Sequence, residues 1–203
     1  MTATTDEEIL EAALQQIAIT GVRRTSADDI ARRAGVNRVT LYRRLGGRDA
    51  ILRAAYLQET ARVLGLIEDA IGDVPPPGTP GFDPRDYVVA FFSVTIKTLR
   101  DNRILKQLLE ADREETLVSL TFDAGETLAV SAAFCADRMR RLRSHLDPQP
   151  PDDDVDAISM TLARIAQSLL LTQGAPPALR TKAQMRAYAE LVIVPMVLPG
   201  LRS

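Results

Sequence analysis

The chain has no tryptophan, one cysteine and one histidine, and each scarcity removes a class of chemistry. A lone Cys135 cannot form an internal disulfide or a cysteine-cluster metal site. A lone His145 leaves little for a metal centre or an acid–base pair. With no evident pair of buried carboxylates either, no nucleophile–base or metal constellation is visible, so neither an enzyme nor a cofactor is expected. Aromatic residues make up 4% of the 203 positions while apolar residues reach 46%, with Ala and Leu recurring. That balance favours helices over sheets, and the length allows one large core or two small ones. No apolar run reaches the roughly 18 to 20 residues that span a bilayer. The opening MTATTDEE is acidic where a signal peptide is basic, which predicts a cytoplasmic protein.

Positive charge is in no overall excess, since the net charge is −2, but it is unevenly spread. Residues 21 to 48 hold eight arginines against Asp28 and Asp29, a surplus of six positive charges, so the rest of the chain carries an excess of eight negative ones. A basic head on an acidic body is the electrostatic footprint of nucleic-acid binding, although arginines can also merely solvate a helical face.

The pattern beneath those arginines favours the first reading. Thr25 to Arg48 reads as two short helices joined by a tight turn. Ser26 or Thr25 caps the first helix, and Asp29 stands at capping-box spacing with Asp in place of the usual Glu. Ile30, Ala31 and Ala34 form a narrow apolar face, and Gly35 supplies the left-handed cap. Val36 fills the turn, Asn37 caps the second helix, and Leu41 and Leu45 lie four apart on one side of it. The alternation is that of a helix-turn-helix, whose second helix enters the DNA major groove. Arg38, Val39, Thr40, Tyr42, Arg43 and Arg44 stay outside the packing.

The run Ala34-Gly35-Val36-Asn37-Arg38-Val39-Thr40-Leu41-Tyr42, followed by a cation at Arg48, resembles the DNA-binding head of the TetR (tetracycline-repressor-like) regulators. The resemblance covers about the first quarter of the chain. Leu45 stands where that family usually carries an aromatic residue, and Arg48 where it usually carries Lys. The resemblance implies an all-α fold of about nine helices, with a DNA-binding domain over residues 1–48 and an effector-binding and dimerisation domain over 49–203.

Along the rest of the chain, Thr5 and Glu8 mark a capping box for a first helix ending at Gly21. A long helix from Arg48 or Asp49 ends at Gly72, and the proline-rich stretch 74–82 reads as a loop, with a proline-rich ligand segment as the alternative. Asp83-Pro84 opens a helix through Leu99. Further helices are expected over Asn102–Glu115, Asp123–Leu146, Asp153–Thr172 and Thr181–Leu198. Pro195 and Pro199 are expected to end or kink the last of them. The acids of 147–154 suit the start of the helix that follows them and lack the spacing of a calcium loop. The arginines of 138–143 sit where a helix dipole is negative; a second DNA patch is the alternative.

Roles follow from side-chain chemistry. Arg38 and Arg43 are candidates to read guanine through the guanidinium fork, and Val39 offers a methyl-sized contact to thymine. Thr25, Ser26, Thr40, Tyr42, Arg44 and Arg48 are candidates for phosphate contact. The two C-terminal helices are apolar over more than one stripe, which predicts a homodimer that places two heads on a palindromic operator. The resemblance implies a small-molecule effector as the second partner. Phe91, Phe92, Thr95, Leu108, Phe122, Phe134 and Met139 would line an apolar pocket for it, or would simply be core. The expectation is a ligand-responsive regulator, most simply a repressor; a helical interaction scaffold, or an enzyme with a DNA-binding head, is the competing class.

Overall fold

The computed structural model describes residues 4–199, and these form helices joined by loops with no strand among the described residues. The order is α1 (Asp6–Thr20), α2 (Ala27–Ala34), α3 (Arg38–Leu45), α4 (Arg48–Ile71), α5 (Pro84–Asp101), α6 (Arg103–Ala111), α7 (Arg113–Thr121), α8 (Gly125–Arg143) and α9 (Val155–Leu171). The last helical stretch runs unbroken through α10 (Lys182–Tyr188), a π-helical turn (Ala189–Ile193) and α11 (Val194–Val197).

Local chemistry explains most boundaries. Thr5 with Glu8, Ser26 with Asp29, and Thr181 with Gln184 all close reciprocal capping boxes, each satisfying two backbone N–H groups that a helix start leaves unpaired. The Asn37 side chain accepts from the Thr40 N–H at 2.7 Å. Pro84 is the first residue of α5, where a missing N–H costs nothing.

Three expectations needed correction. The segment Asn102–Glu115 is two helices, because Asp112 ends α6 and its side chain caps α7; α7 then continues to Thr121. The last helix stops at Val197, ahead of Pro199 as expected, but Pro195 does not end it: the π-helical turn before it shifts the hydrogen-bond register, and Pro195 falls in the first turn of α11, where its lack of an N–H is harmless. Asp154 precedes α9 without a side-chain cap bond; its carboxylate instead takes the Arg143 guanidinium at 2.6 and 3.1 Å.

Packing divides the chain into two units: residues up to Arg62 with Asn102–Thr127, and Val63–Asp101 with the chain from Leu128 onward. The first unit takes in the segment expected as the DNA-binding head together with the first part of α4, α6 and α7. Its core joins Ile9, Ala13, Ile30, Leu41, Ile51 and Ala55, with a second cluster of Ile17, Val22, Leu52 and Leu108. Fully burying one such aliphatic side chain contributes about 1.5–3 kcal/mol, so this small core can hold two eight-residue helices that would not persist alone. The other unit packs α5, α8, α9 and the C-terminal stretch around Val88, Phe92, Ile96, Met139, Val155, Ile193 and Leu198.

Candidate nucleic-acid interface

The α2–turn–α3 motif is fixed from beneath and open above. Gly35 takes φ 69° and ψ 25°, the left-handed conformation that costs any residue with a Cβ, and its N–H bonds back to the carbonyls of Ala31 and Arg32. The Val36 N–H reaches the Ala31 carbonyl at 3.0 Å, which closes the turn. Leu41 is fully buried, and Tyr42 and Leu45 pack partly against the same cluster. One face of α3 is therefore committed to the core.

The opposite face presents Arg38, Val39 and Arg43 to solvent, with Val39 74% exposed. An exposed valine beside two exposed arginines has no folding role, and this is the composition of a groove-reading surface. Arg43 has no hydrogen-bond or ion-pair partner among the described residues. Arg38 does: one terminal nitrogen lies 3.2 Å from an Asp28 carboxylate oxygen, the other 3.5 Å from the Tyr42 hydroxyl, and its guanidinium carbon sits 5.3 Å from the Tyr42 ring centroid. The Tyr42 hydrogen bond, and then the Asp28 carboxylate, raise the Arg38 pKa above its ordinary value.

The residues expected at phosphates divide into two groups. Ser26 and Tyr42 lie at the surface or half-buried, and Thr40 is half-buried in the first turn of α3. Thr25, in contrast, is buried, and its hydroxyl donates to the Gly21 carbonyl at 2.8 Å. Arg48 donates to the carbonyls of Thr25 and Val22, which ties the start of α4 to the α1–α2 turn. Arg44 reaches the Asp6 carboxylate and the Thr4 carbonyl, both at 2.6 Å. Thr25 and Arg48 thus fix the head from within, and Arg44 ties α3 to the start of α1 at the surface. Sequence spacing could not reveal these bonds, because each joins residues far apart in the chain or uses a carbonyl.

Two further features had no sequence signal. In the sequence Asp28 counts only as a negative charge, yet it faces Arg38. In the α1–α2 turn, Arg23 gathers Asp112, Glu114 and Glu115 around its guanidinium, and its N–H bonds to the Asp112 carboxylate at 3.1 Å. Gly21 permits that approach, since a Cβ there would lie 2.9 Å from the Asp112 Cβ.

The residues expected to line an effector pocket fall in both packing units. Phe91, Phe92, Thr95, Phe134 and Met139 lie in the second packing unit, where Phe91 and Phe134 pair with ring centroids 6.1 Å apart. The Thr95 hydroxyl is buried there with no hydrogen-bond partner among the described residues. Leu108 belongs to the first unit's core, and Phe122, also of that unit, is 89% exposed after the end of α7. Arg138, Arg140, Arg141 and Arg143, weighed as a second DNA patch, are each paired with carboxylates: Glu68; Asp152 and Asp156; Asp73 and Asp137; and Asp154, respectively. Burial lifts the Cys135 thiol pKa to about 11, leaving it unreactive at neutral pH. Among the described residues no cluster of metal-ligating side chains occurs, and no single helix is long and apolar enough to cross a membrane.

Comparison with known proteins agrees with this geometry. Residues 9–55 match the profile of "Bacterial regulatory proteins, tetR family". An uncharacterized HTH-type transcriptional regulator of Mycobacterium tuberculosis is 28% identical over 197 residues, which cover 96% of this chain and 86% of the relative. Among solved structures, the repressor AlkX of Dietzia sp., implicated in n-alkane biodegradation, aligns with TM-score 0.65 and 19% identity over 94% of this chain and 93% of its own. The repressor QsdR of R. erythropolis aligns with TM-score 0.61 and 21% identity over 98% and 96%. Both likenesses are likenesses of fold.

Proposed function

We propose that the chain is a dimeric, ligand-responsive repressor of the TetR type that reads a palindromic operator through α3; the match of residues 9–55 to the tetR-family profile and the HTH-type regulator that is 28% identical support the reading. The observation that carries this reading is the exposed row Arg38, Val39 and Arg43 on a helix whose other face is locked by Leu41. A guanidinium fork matches guanine O6 and N7, and an aliphatic side chain matches the thymine methyl. Ser26, Thr40 and Tyr42 then grip phosphates and set the register, while Thr25, Arg44 and Arg48 hold the shape of the surface.

One helix-turn-helix buries too little DNA to select a site, so two heads must be held together about one helical turn, or a multiple of it, apart. The residues that support a dimer lie on the C-terminal helices. Leu191 is 79% exposed, and Ile165, Leu170 and Val192 remain half-exposed after the subunit's own core is formed. For the effector, the support is the aromatic set Phe91, Phe92 and Phe134 with the unpartnered Thr95 hydroxyl: an apolar or aromatic molecule carrying one hydrogen-bonding group fits that chemistry. Such a ligand acts only if it binds one arrangement of the heads better than the other.

Footprinting of the DNA upstream of the chain's own gene, followed by a salt titration of the protected fragment, tests the reading. Each phosphate contact should add about 0.9 to the slope of log K against log salt. A protected palindrome with a steep slope is expected. Weak, sequence-independent binding, or a monomer in sedimentation at micromolar concentration, refutes it.

A further inference from the structure

Asp28 stands on α2 opposite the base-reading surface, and we propose that it is a specificity-determining residue: it holds the Arg38 guanidinium on Tyr42 and disfavours any DNA that does not compensate its release. The inference rests on the reading of α3 as the helix that meets the bases.

The geometry engages the Arg38 fork at both ends. One terminal nitrogen is 3.2 Å from the Asp28 oxygen and the other is 3.5 Å from the Tyr42 hydroxyl. Both terminal nitrogens of the fork are engaged, so turning that edge to guanine O6 and N7 competes with the Asp28 contact. Among the described residues Arg43, five residues further along α3, has no such partner. Of Arg38 and Arg43, Arg38 is the one held back.

Releasing Arg38 has a cost set by where Asp28 lies. It is the second residue of α2, its side chain is 63% exposed, and Arg38 is its ion-pair partner. The neighbouring Asp29 differs, because Ser26 and Arg32 engage it and its pKa is lowered first by the Ser26 hydroxyl. When a duplex approaches, a released Arg38 leaves Asp28 as an unpaired carboxylate facing a polyanion. Two hydrogen bonds to a guanine edge offset that repulsion. A base that offers no such acceptors leaves the fork with Asp28, or the carboxylate bare. A repulsive group of this kind lowers affinity for wrong sequences more than for the right one.

The experiment compares the full-length protein with Asp28→Asn, Arg38→Ala and the double variant. Each is titrated against the footprinted operator and a random duplex of the same length, at two salt concentrations. Asp28→Asn is isosteric and exposed, and circular dichroism checks that each variant is folded. The expected result is that Asp28→Asn tightens the random duplex more than the operator and lowers their affinity ratio about two- to fivefold, the scale of an exposed ion pair. In the Arg38→Ala background the same change should shift both DNAs by one common factor. Equal tightening of both DNAs by Asp28→Asn alone, or no change, overturns the proposal while leaving α3 as the reading helix. An unchanged ratio in Arg38→Ala overturns that reading, and the role of Asp28 with it.

Discussion

Arg143 is the residue whose loss should most disturb the helices proposed to form the dimer. Its side chain is 6% exposed, and its guanidinium donates to the Val197 carbonyl at 2.9 Å, the Pro151 carbonyl at 3.1 Å and both Asp154 oxygens. One side chain thus joins the end of α8, the loop before α9 and the end of α11. In Arg143→Ala two carbonyls lose their donor, at about 1 kcal/mol or somewhat more each. The Asp154 pair adds at most about 1 kcal/mol, because that carboxylate is half-exposed and water replaces part of the attraction. The expected loss is about 3 kcal/mol, which lowers Tm by about 6–12 °C for a chain of this length. Arg143→Lys keeps the charge but not the fork, and should recover about half. The Arg143 hydrogen bonds hold the Asp154 carboxyl below the usual carboxylate range. A depressed folded-state value means that this stabilisation is complete above that range and is lost as pH falls through it, so the gap between wild type and Arg143→Ala should narrow in acid. Thermal and urea unfolding followed by circular dichroism measures all three. A loss below about 1 kcal/mol at neutral pH, or a Lys variant as stable as wild type, would show that Arg143 does not fasten these elements.

Leu41→Ala should cost about 2–5 kcal/mol, since the side chain is fully buried at the centre of the head, and operator binding should fail as the head loosens; calorimetry and gel shift read the two effects. Gly21→Ala should destabilise more than Gly35→Ala. Both glycines have positive φ, but a Cβ at position 21 also meets Asp112 and the Ala111 carbonyl, whereas at position 35 it meets nothing within 4 Å; comparing melting temperatures is decisive. Leu191→Glu places a charge on a residue that is 79% exposed in the single chain, so it should leave the monomer folded and shift sedimentation from dimer to monomer; an unchanged dimer would move the interface elsewhere.

What the sequence by itself determined is most of what local chemistry governs, though not the Asp112 cap that divides α6 from α7. The capping boxes at Thr5, Ser26 and Thr181, the left-handed turn at Gly35 and the core spacing of Leu41 and Leu45 involve partners within four residues, so reading the string suffices. The same logic exposed Arg38, Val39 and Arg43 by elimination. Tertiary structure decided which charged groups remain available, because that depends on partners far away in the chain. Arg48 reaches back 26 residues to the Val22 carbonyl, Arg44 reaches 38 to Asp6, and Arg38 reaches 10 to Asp28. Periodicity reports which way a side chain points along its own helix, not what another helix brings to meet it. For that reason Leu108 and Phe122, apolar like the other residues expected around an effector, ended in a different packing unit, one as core and one at the surface.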